Sequence, residues 1–171
     1  MPKPPKLDQI DIHILSELRR NGRMGNNDLA YAVGLSASPC LQRVRRLESA
    51  GYITGYSAHL DFAKIGDPQI VFAQITLSSH RREDFLRFES AMRTTEEVLE
   101  VHLVSGGFDY LLKFMTRGIT HYQSLMDSLL ARNLGIDKYF SFIVLKSPII
   151  KHEYPLAVLL EISQKTARGT E

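Results

Sequence analysis

The spacing of apolar residues changes once along this chain, and that change constrains the fold more than any other feature of its 171 residues. Up to about residue 50, apolar side chains recur every three or four positions, which is typical of helices that bury one face. From residue 71 onward, short strand-like segments, in which apolar and polar residues alternate, are interspersed with helical segments. The sequence therefore predicts an α+β protein, with a helical part followed by a part built on a sheet.

The first two helices of the helical part have recognisable ends. One is predicted from Leu7 to Arg20, with Asp8 available as its N-cap. A second, shorter helix is predicted over residues 26–33. Gly25 is a weak start signal for it, whereas Gly34 allows the left-handed conformation that ends a helix.

The third predicted helix combines one apolar face with an arginine-bearing outer face and ends at Gly51. Its N-cap is either Ser36 or Ser38, because proline at position 39 is tolerated in the first turn from either start. Two helices joined by a short turn, the second with a basic face, predict a helix-turn-helix that enters the major groove of DNA. An ordinary solvated helix surface is the alternative, and the turn and the following wing favour DNA. The candidate DNA-binding residues are Ser36, Ser38, Pro39, Gln42, Arg43, Arg45 and Arg46.

Charge and the next segment point to the same kind of domain. The first 60 residues carry eight Lys and Arg against five Asp and Glu, while the other 111 carry thirteen against fourteen. Basic charge at one end suits a polyanionic partner. A strand and wing are predicted from Tyr52 to Leu60, since apolar residues alternate there with polar ones. Residues 1–60 are therefore predicted to be a winged helix-turn-helix domain that binds double-stranded DNA.

The second part follows a hinge predicted at residues 61–68 and spans residues 69–150. Its predicted elements have the order β-α-β-β-α-β, which indicates a ferredoxin-like domain with two helices on one face of a four-stranded antiparallel sheet. The other face stays apolar, because strands such as 99–104 and 136–145 carry apolar residues on both sides. A homodimer that stacks two sheets is therefore expected. The tail, residues 151–171, is predicted as a short helix or an edge strand.

Other function classes find little support in the sequence. No apolar run approaches the roughly 18 residues that span a bilayer, and the first residues lack a signal peptide, so a cytoplasmic protein without a membrane partner is expected. The lone Cys40 cannot form an internal disulfide, and the six histidines lack metal-ligand spacing. No catalytic residue, metal or cofactor is predicted, and an enzyme is not expected. An RNA-recognition module shares the β-α-β-β-α-β order but needs stacking aromatics that the strand from Tyr110 to Phe114 lacks.

Several stretches of the chain resemble one known family. LDQIDIHILSELRRNGR, DLAYAVGLSASPCLQRVRRLESAGYITGY, LVSGGFDYLLKF and FIVLK follow one another with the order and spacing found in the Lrp/AsnC family, and the likeness covers about residues 7–155. The resemblance implies a DNA-binding transcription regulator of amino-acid metabolism. It also implies dimers that associate into tetramers or octamers, and control by an amino-acid-like effector bound at subunit boundaries.

The same resemblance implies an effector loop at SGGFDY. Its physical alternative is a plain hairpin turn, in which the glycines serve backbone geometry and Asp109 caps the loop. A protein of the same fold that binds DNA without any effector is a further alternative. The candidate effector-binding residues are Ser105, Gly106, Gly107, Phe108, Asp109, Tyr110, Tyr122 and Met126.

Overall fold

A computed structural model describes residues 5–151, apart from the side chain of Ala63. The predicted tail lies outside the described residues except for Lys151. The chain divides into two compact units, of which the first includes the residues up to His59 and the second runs from Leu60 to Pro148. Each unit has its own hydrophobic core.

The first unit contains the three predicted helices, α1 (Gln9–Arg20), α2 (Asn26–Ala32) and α3 (Ala37–Ser49). Each turns one apolar face inward. The core is formed by Ile14, Leu29, Ala30, Val33, Cys40, Val44 and Leu47. Burial of Cys40 raises the pKa of its thiol, so this side chain serves packing.

Backbone and side-chain caps explain where these helices begin and end. Asp8 and Asp11 form a reciprocal capping box at the start of α1. The N-cap of α3 is Ser36, which decides between the two predicted starts. Gly34 and Gly51 follow α2 and α3 with φ of 69° and 75°, a left-handed conformation that glycine adopts without a steric penalty.

Two predicted features of the connecting segments differ in the structure. The strand predicted from Tyr52 to Leu60 does not form, because a strand needs a hydrogen-bonded neighbour and, among the described residues 5–151, none pairs with this segment. The amides of Tyr52 and Ile53 instead donate to the carbonyl oxygen of Leu47. The predicted hinge, residues 61–68, contains a one-turn helix, α4 (Phe62–Ile65), and belongs to the second unit.

The second unit has the predicted β-α-β-β-α-β order, with two helices and four strands. The strands form one antiparallel sheet in the order β2-β3-β1-β4, so β2 and β4 are its edges. This arrangement confirms the predicted ferredoxin-like class. The elements are β1 (Gln69–Leu77), α5 (Arg82–Arg93), β2 (Val98–Leu103), β3 (Tyr110–Thr116), α6 (Ile119–Ala131) and β4 (Ile136–Ile143).

The two faces of the sheet are covered unequally. Alternate residues of the central strands, such as Val71 and Leu112, are buried against α5 and α6. Residues of the other parity form the open face, where no helix of the described chain packs. The apolar side chains on the open face are Ile70, Phe72, Leu111, Met115, Phe140 and Phe142. Among the described helices, none has the length and hydropathy required to cross a membrane.

Candidate functional site

Helix α3 presents one continuous exposed face. Ser38, Leu41, Gln42 and Arg45 are exposed and lie three, four and seven residues apart, so they form a stripe along one side of the helix. Ser36 and Pro39 are also exposed at its first turn. The stripe lies opposite the buried residues of α3. Five of the seven predicted DNA-binding residues are therefore exposed on or beside this stripe, namely Ser36, Ser38, Pro39, Gln42 and Arg45.

The other two, Arg43 and Arg46, are engaged with helix α1. Nη1 of Arg43 donates to Oδ2 of Asp8 at 2.6 Å and to Oδ1 of Asp11 at 2.8 Å. Nη2 of Arg46 donates to Oδ2 of Asp11. The side chains of Arg43 and Arg46 remain 28% and 46% exposed. Helical spacing in the sequence gives no signal for this ion-pair cluster, which links α1 to α3.

The carboxylates of the cluster sit in different surroundings. Asp11 is fully buried, whereas Asp8 is about half exposed. The backbone N–H of Asp11 and the guanidinium of Arg43 both stabilise the charged form of Asp8, so its pKa lies below the ordinary value. Hydrogen bonds to Asp8 and then Asp11 raise the pKa of Arg43. The ion pair between Asp8 and Arg43 therefore stays charged at neutral pH.

The turn between α2 and α3 is fixed by its own hydrogen bonds. The amide of Leu35 donates to the carbonyl oxygen of Ala30 at 2.8 Å. Nδ2 of Asn26 donates to the carbonyl oxygen of Ala37, also at 2.8 Å. The first turn of α3 is thus held against the start of α2, which leaves its exposed stripe on the outside of the unit.

In the second unit, the predicted effector loop joins β2 to β3. Ser105, Gly106 and Gly107 are exposed, and Phe108 is partly buried. Gly106 has φ of 151°, which side-chain-bearing residues rarely adopt. The first three residues of the loop therefore lie at the surface of the unit.

Asp109 anchors the loop to strand β1. Its Oδ2 accepts from the amide of Leu77 at 2.7 Å, and its Oδ1 lies 2.9 Å from Nε2 of His80. Its own amide donates to the carbonyl oxygen of Ile75, and its carbonyl oxygen accepts from Val104. This carboxylate therefore already has partners in the chain, as the hairpin interpretation of the loop would require.

Tyr110 leads from the loop into a cleft that the sequence analysis missed. The cleft, of about 410 Å³, is lined by Glu89, Arg93, Val101, Leu103 and Tyr110. Tyr110 donates its hydroxyl to Oε1 of Glu89 at 2.8 Å, and burial followed by this bond raises the pKa of the phenol. Because Leu103 and Tyr110 flank the loop, the cleft and the loop adjoin. The spacing of Glu89 and Arg93 on α5 places both on one face, but no sequence signal shows that this face meets β2.

Tyr122 and Met126 lie elsewhere in the unit. Both lie on the buried side of α6, and the hydroxyl of Tyr122 lies 2.6 Å from that of Ser141 on β4. They line a second cleft of about 450 Å³ along β4. Since β4 and β2 are opposite edges of the sheet, one chain does not bring these two residues together with the loop. In the described residues, no group of three or more His, Cys, Asp or Glu side chains is arranged to hold a metal ion.

Family models match both units of the chain. One described as a winged helix-turn-helix DNA-binding domain matches residues 7–54. Another, described as an Lrp/AsnC ligand binding domain, matches residues 70–154. The two matched stretches have the order that the sequence analysis predicted.

Named relatives are similar over most of their length. The transcriptional regulatory protein DoeX of Halomonas elongata is 46% identical over 142 residues, which cover 83% of this chain and 90% of the relative. The leucine-responsive regulatory protein of Haemophilus influenzae is 44% identical over 140 residues, which cover 82% and 84% respectively. The similarity therefore extends through both units.

Solved structures show the same two-part architecture. A transcriptional regulator from Neisseria meningitidis, solved as a complex with L-methionine, has a TM-score of 0.83 at 30% identity, over 90% of this chain and 99% of that one. An AsnC family transcriptional regulator from Agrobacterium tumefaciens has a TM-score of 0.83 at 31% identity, with the same coverage.

Proposed function

We infer, because this chain belongs to the Lrp/AsnC family of transcription regulators, that it binds duplex DNA through α3 and changes that binding in response to an amino acid. The observation that carries the DNA part is the exposed stripe on α3 after a hydrogen-bonded turn. A helix with this exposure fits the major groove, which admits one α-helix. We assign the DNA surface to the segment from Ser36 to Arg46. A regulator of this kind meets chromosomal DNA in the cytoplasm.

For the effector, we propose the loop of residues 105–110 together with the cleft beside it. The carboxylate of Glu89 and the guanidinium of Arg93 border an apolar floor of Val101 and Leu103. Opposite charges beside apolar surface suit an α-amino acid, which carries an ammonium, a carboxylate and a side chain. The L-methionine in the Neisseria complex supports this class of ligand. Tyr122 and Met126 would complete a site only through the β4 edge of another subunit.

The open face of the sheet supports a homodimer. Phe140 and Phe142 are 51% and 50% exposed there, next to four further apolar residues. A second copy of the same face would cover this patch, since a two-fold axis pairs a surface with itself. Association of such dimers into tetramers or octamers would bring sheet edges of different subunits together.

The DNA proposal is tested by binding to genomic fragments at several salt concentrations. Affinity is expected to fall as salt rises, because each contact between a basic side chain and a DNA phosphate releases counterions. Selection of bound fragments with and without a pool of amino acids measures specificity and response together. Binding that is absent at low ionic strength contradicts the proposal.

The effector proposal is tested by thermal unfolding in the presence of each of the twenty amino acids. A ligand at one hundred times its dissociation constant is expected to add about 2.7 kcal/mol of stability. The variant Asp109→Ala is expected to lose that shift while its DNA binding without effector persists. If no amino acid stabilises the unsubstituted protein, the result favours an architectural DNA-binding protein without effector control.

A further inference from the structure

We propose that Asp11 is a positioning residue for DNA recognition, which holds Arg43 and Arg46 against α1 so that only the stripe of Ser38, Leu41, Gln42 and Arg45 reads bases. The proposal rests on the DNA binding inferred above and divides the predicted arginines into two roles. Arg45 meets DNA directly, whereas Arg43 and Arg46 brace the helix that carries it.

The surroundings of Asp11 explain why the side chains of Arg43 and Arg46 stay bound to α1. Its Oδ1 accepts from Arg43, while its Oδ2 accepts from Arg46 and from the backbone N–H of Asp8. The residue is fully buried. A buried carboxylate is costly unless hydrogen bonds and opposite charges satisfy it, so withdrawing either arginine would leave an unbalanced buried charge. DNA phosphates would have to offset that cost before they could capture Arg43.

The ion pairs of Arg43 and Arg46 with Asp11 also fix the rotation of α3 about its own axis. Arg43 and Arg46 are one turn apart and lie between the buried face and the exposed stripe. Tying both to one carboxylate on α1 determines which side of α3 faces away from the unit. The side chains on that outward side are those of the stripe.

The chemistry of the stripe suggests which bases it distinguishes. In the major groove, an arginine forms a bidentate pair with guanine, and a glutamine forms one with adenine. An apolar side chain contacts the methyl group of thymine. Arg45, Gln42 and Leu41, of which Leu41 is 38% exposed, supply these three chemistries on adjacent turns. The small Ser38 leaves room for close approach of the backbone.

The test compares arginine variants by salt dependence and by base preference. Arg45→Ala is expected to relax the preference at one base pair about tenfold, since it removes a bidentate contact. Arg43→Ala and Arg46→Ala are expected to lower affinity but to keep the wild-type slope of log K against log salt. A lost phosphate contact would instead reduce that slope by about one. A reduction of that size in both variants overturns the proposal.

The second arm of the test changes the carboxylates. Asp11→Asn is expected to free both arginines, so the salt slope becomes steeper by up to about two and base discrimination falls. Asp8 is half exposed, so Asp8→Asn leaves no unpaired group buried and the variant should fold. It is also expected to make the salt slope steeper, but by less than Asp11→Asn. Glu17→Gln on the same helix, whose carboxylate pairs with Arg20, is the matched control and should keep both properties.

The outcomes separate the two proposals. If the unsubstituted protein shows no salt-dependent binding to duplex DNA, the proposed function fails and this inference fails with it. If the protein binds and the Asp8 and Asp11 variants keep the wild-type slope and base preference, the positioning role alone is overturned. A circular dichroism spectrum of each variant confirms that binding is measured on folded protein.

Discussion

At the scale of single residues, arginines that are close together in the sequence make different contacts. Arg43, Arg45 and Arg46 occupy one short stretch, but only Arg45 is free of the carboxylates of α1. Helical spacing predicts that all three lie off the apolar face. It cannot predict the pairing of Arg43 with Asp11, 32 positions away, because that contact depends on how α1 packs against α3.

Asp8 leads to a prediction about acid stability. Because its pKa is lower in the folded chain than the ordinary value of about 3.9, its contribution is present above pH 4 and is lost as pH falls through the folded pKa. Asp8→Asn keeps an N-cap but removes the charge. The variant is expected to be less stable than wild type at pH 7, by under about 1 kcal/mol since the ion pair is half exposed, and the gap should close as pH falls through the lowered pKa of Asp8.

Urea unfolding at a series of pH values measures that gap. Asp28→Asn changes an exposed carboxylate of the same unit and is the control. A gap that stays constant from pH 7 to pH 2 would show that the Asp8 charge contributes nothing to folding.

At the scale of helices and strands, the sequence predicts most of the architecture because each element carries its own periodicity. The predicted helices over residues 7–20 and 26–33 agree to within two residues at each end with α1 (Gln9–Arg20) and α2 (Asn26–Ala32). Caps were also readable, as with Asp8. The exceptions depend on partners rather than on local sequence. The strand predicted from Tyr52 has no paired neighbour within the part of the chain that the structure describes, and the single turn of α4 is too short to show a helical period.

The candidate sites were predictable to different extents for the same reason. The residues of the α3 stripe lie within one helix, so helical spacing predicts that they share a face, whereas the loop of residues 105–110 is a candidate site through the family resemblance. The cleft with Glu89 and Arg93 is built from a helix and an edge strand, and its composition follows from tertiary packing. Tyr122 was grouped with the loop by family resemblance, although β4 places it at the other edge of the sheet.

At the scale of the whole molecule, the two faces of the sheet differ, because the helices of one chain cover only one of them. Its helix-covered face buries residues such as Val71 and Phe114 completely. The open face combines apolar side chains with the ion pair between Glu100 and Lys113, whose nitrogen and oxygen lie 2.7 Å apart. Lys113 and then His102 lower the pKa of Glu100, so this charge persists on the face. A partner surface must therefore cover apolar residues and tolerate a neutralised pair, as a second copy would.

Phe142→Glu is expected to dissociate that dimer. Phe142 pairs in register with Phe72 on the open face, and a two-fold axis would place the substitution in the interface twice. Losing two buried phenyl groups, each worth about 1.5–3 kcal/mol, raises the dissociation constant at least about a hundredfold. Sedimentation velocity over a range of concentrations measures the change. Leu86→Glu, at an exposed position on α5 of the opposite layer, should sediment like the unsubstituted protein. Equal sedimentation of both variants would place the subunit contact on another surface.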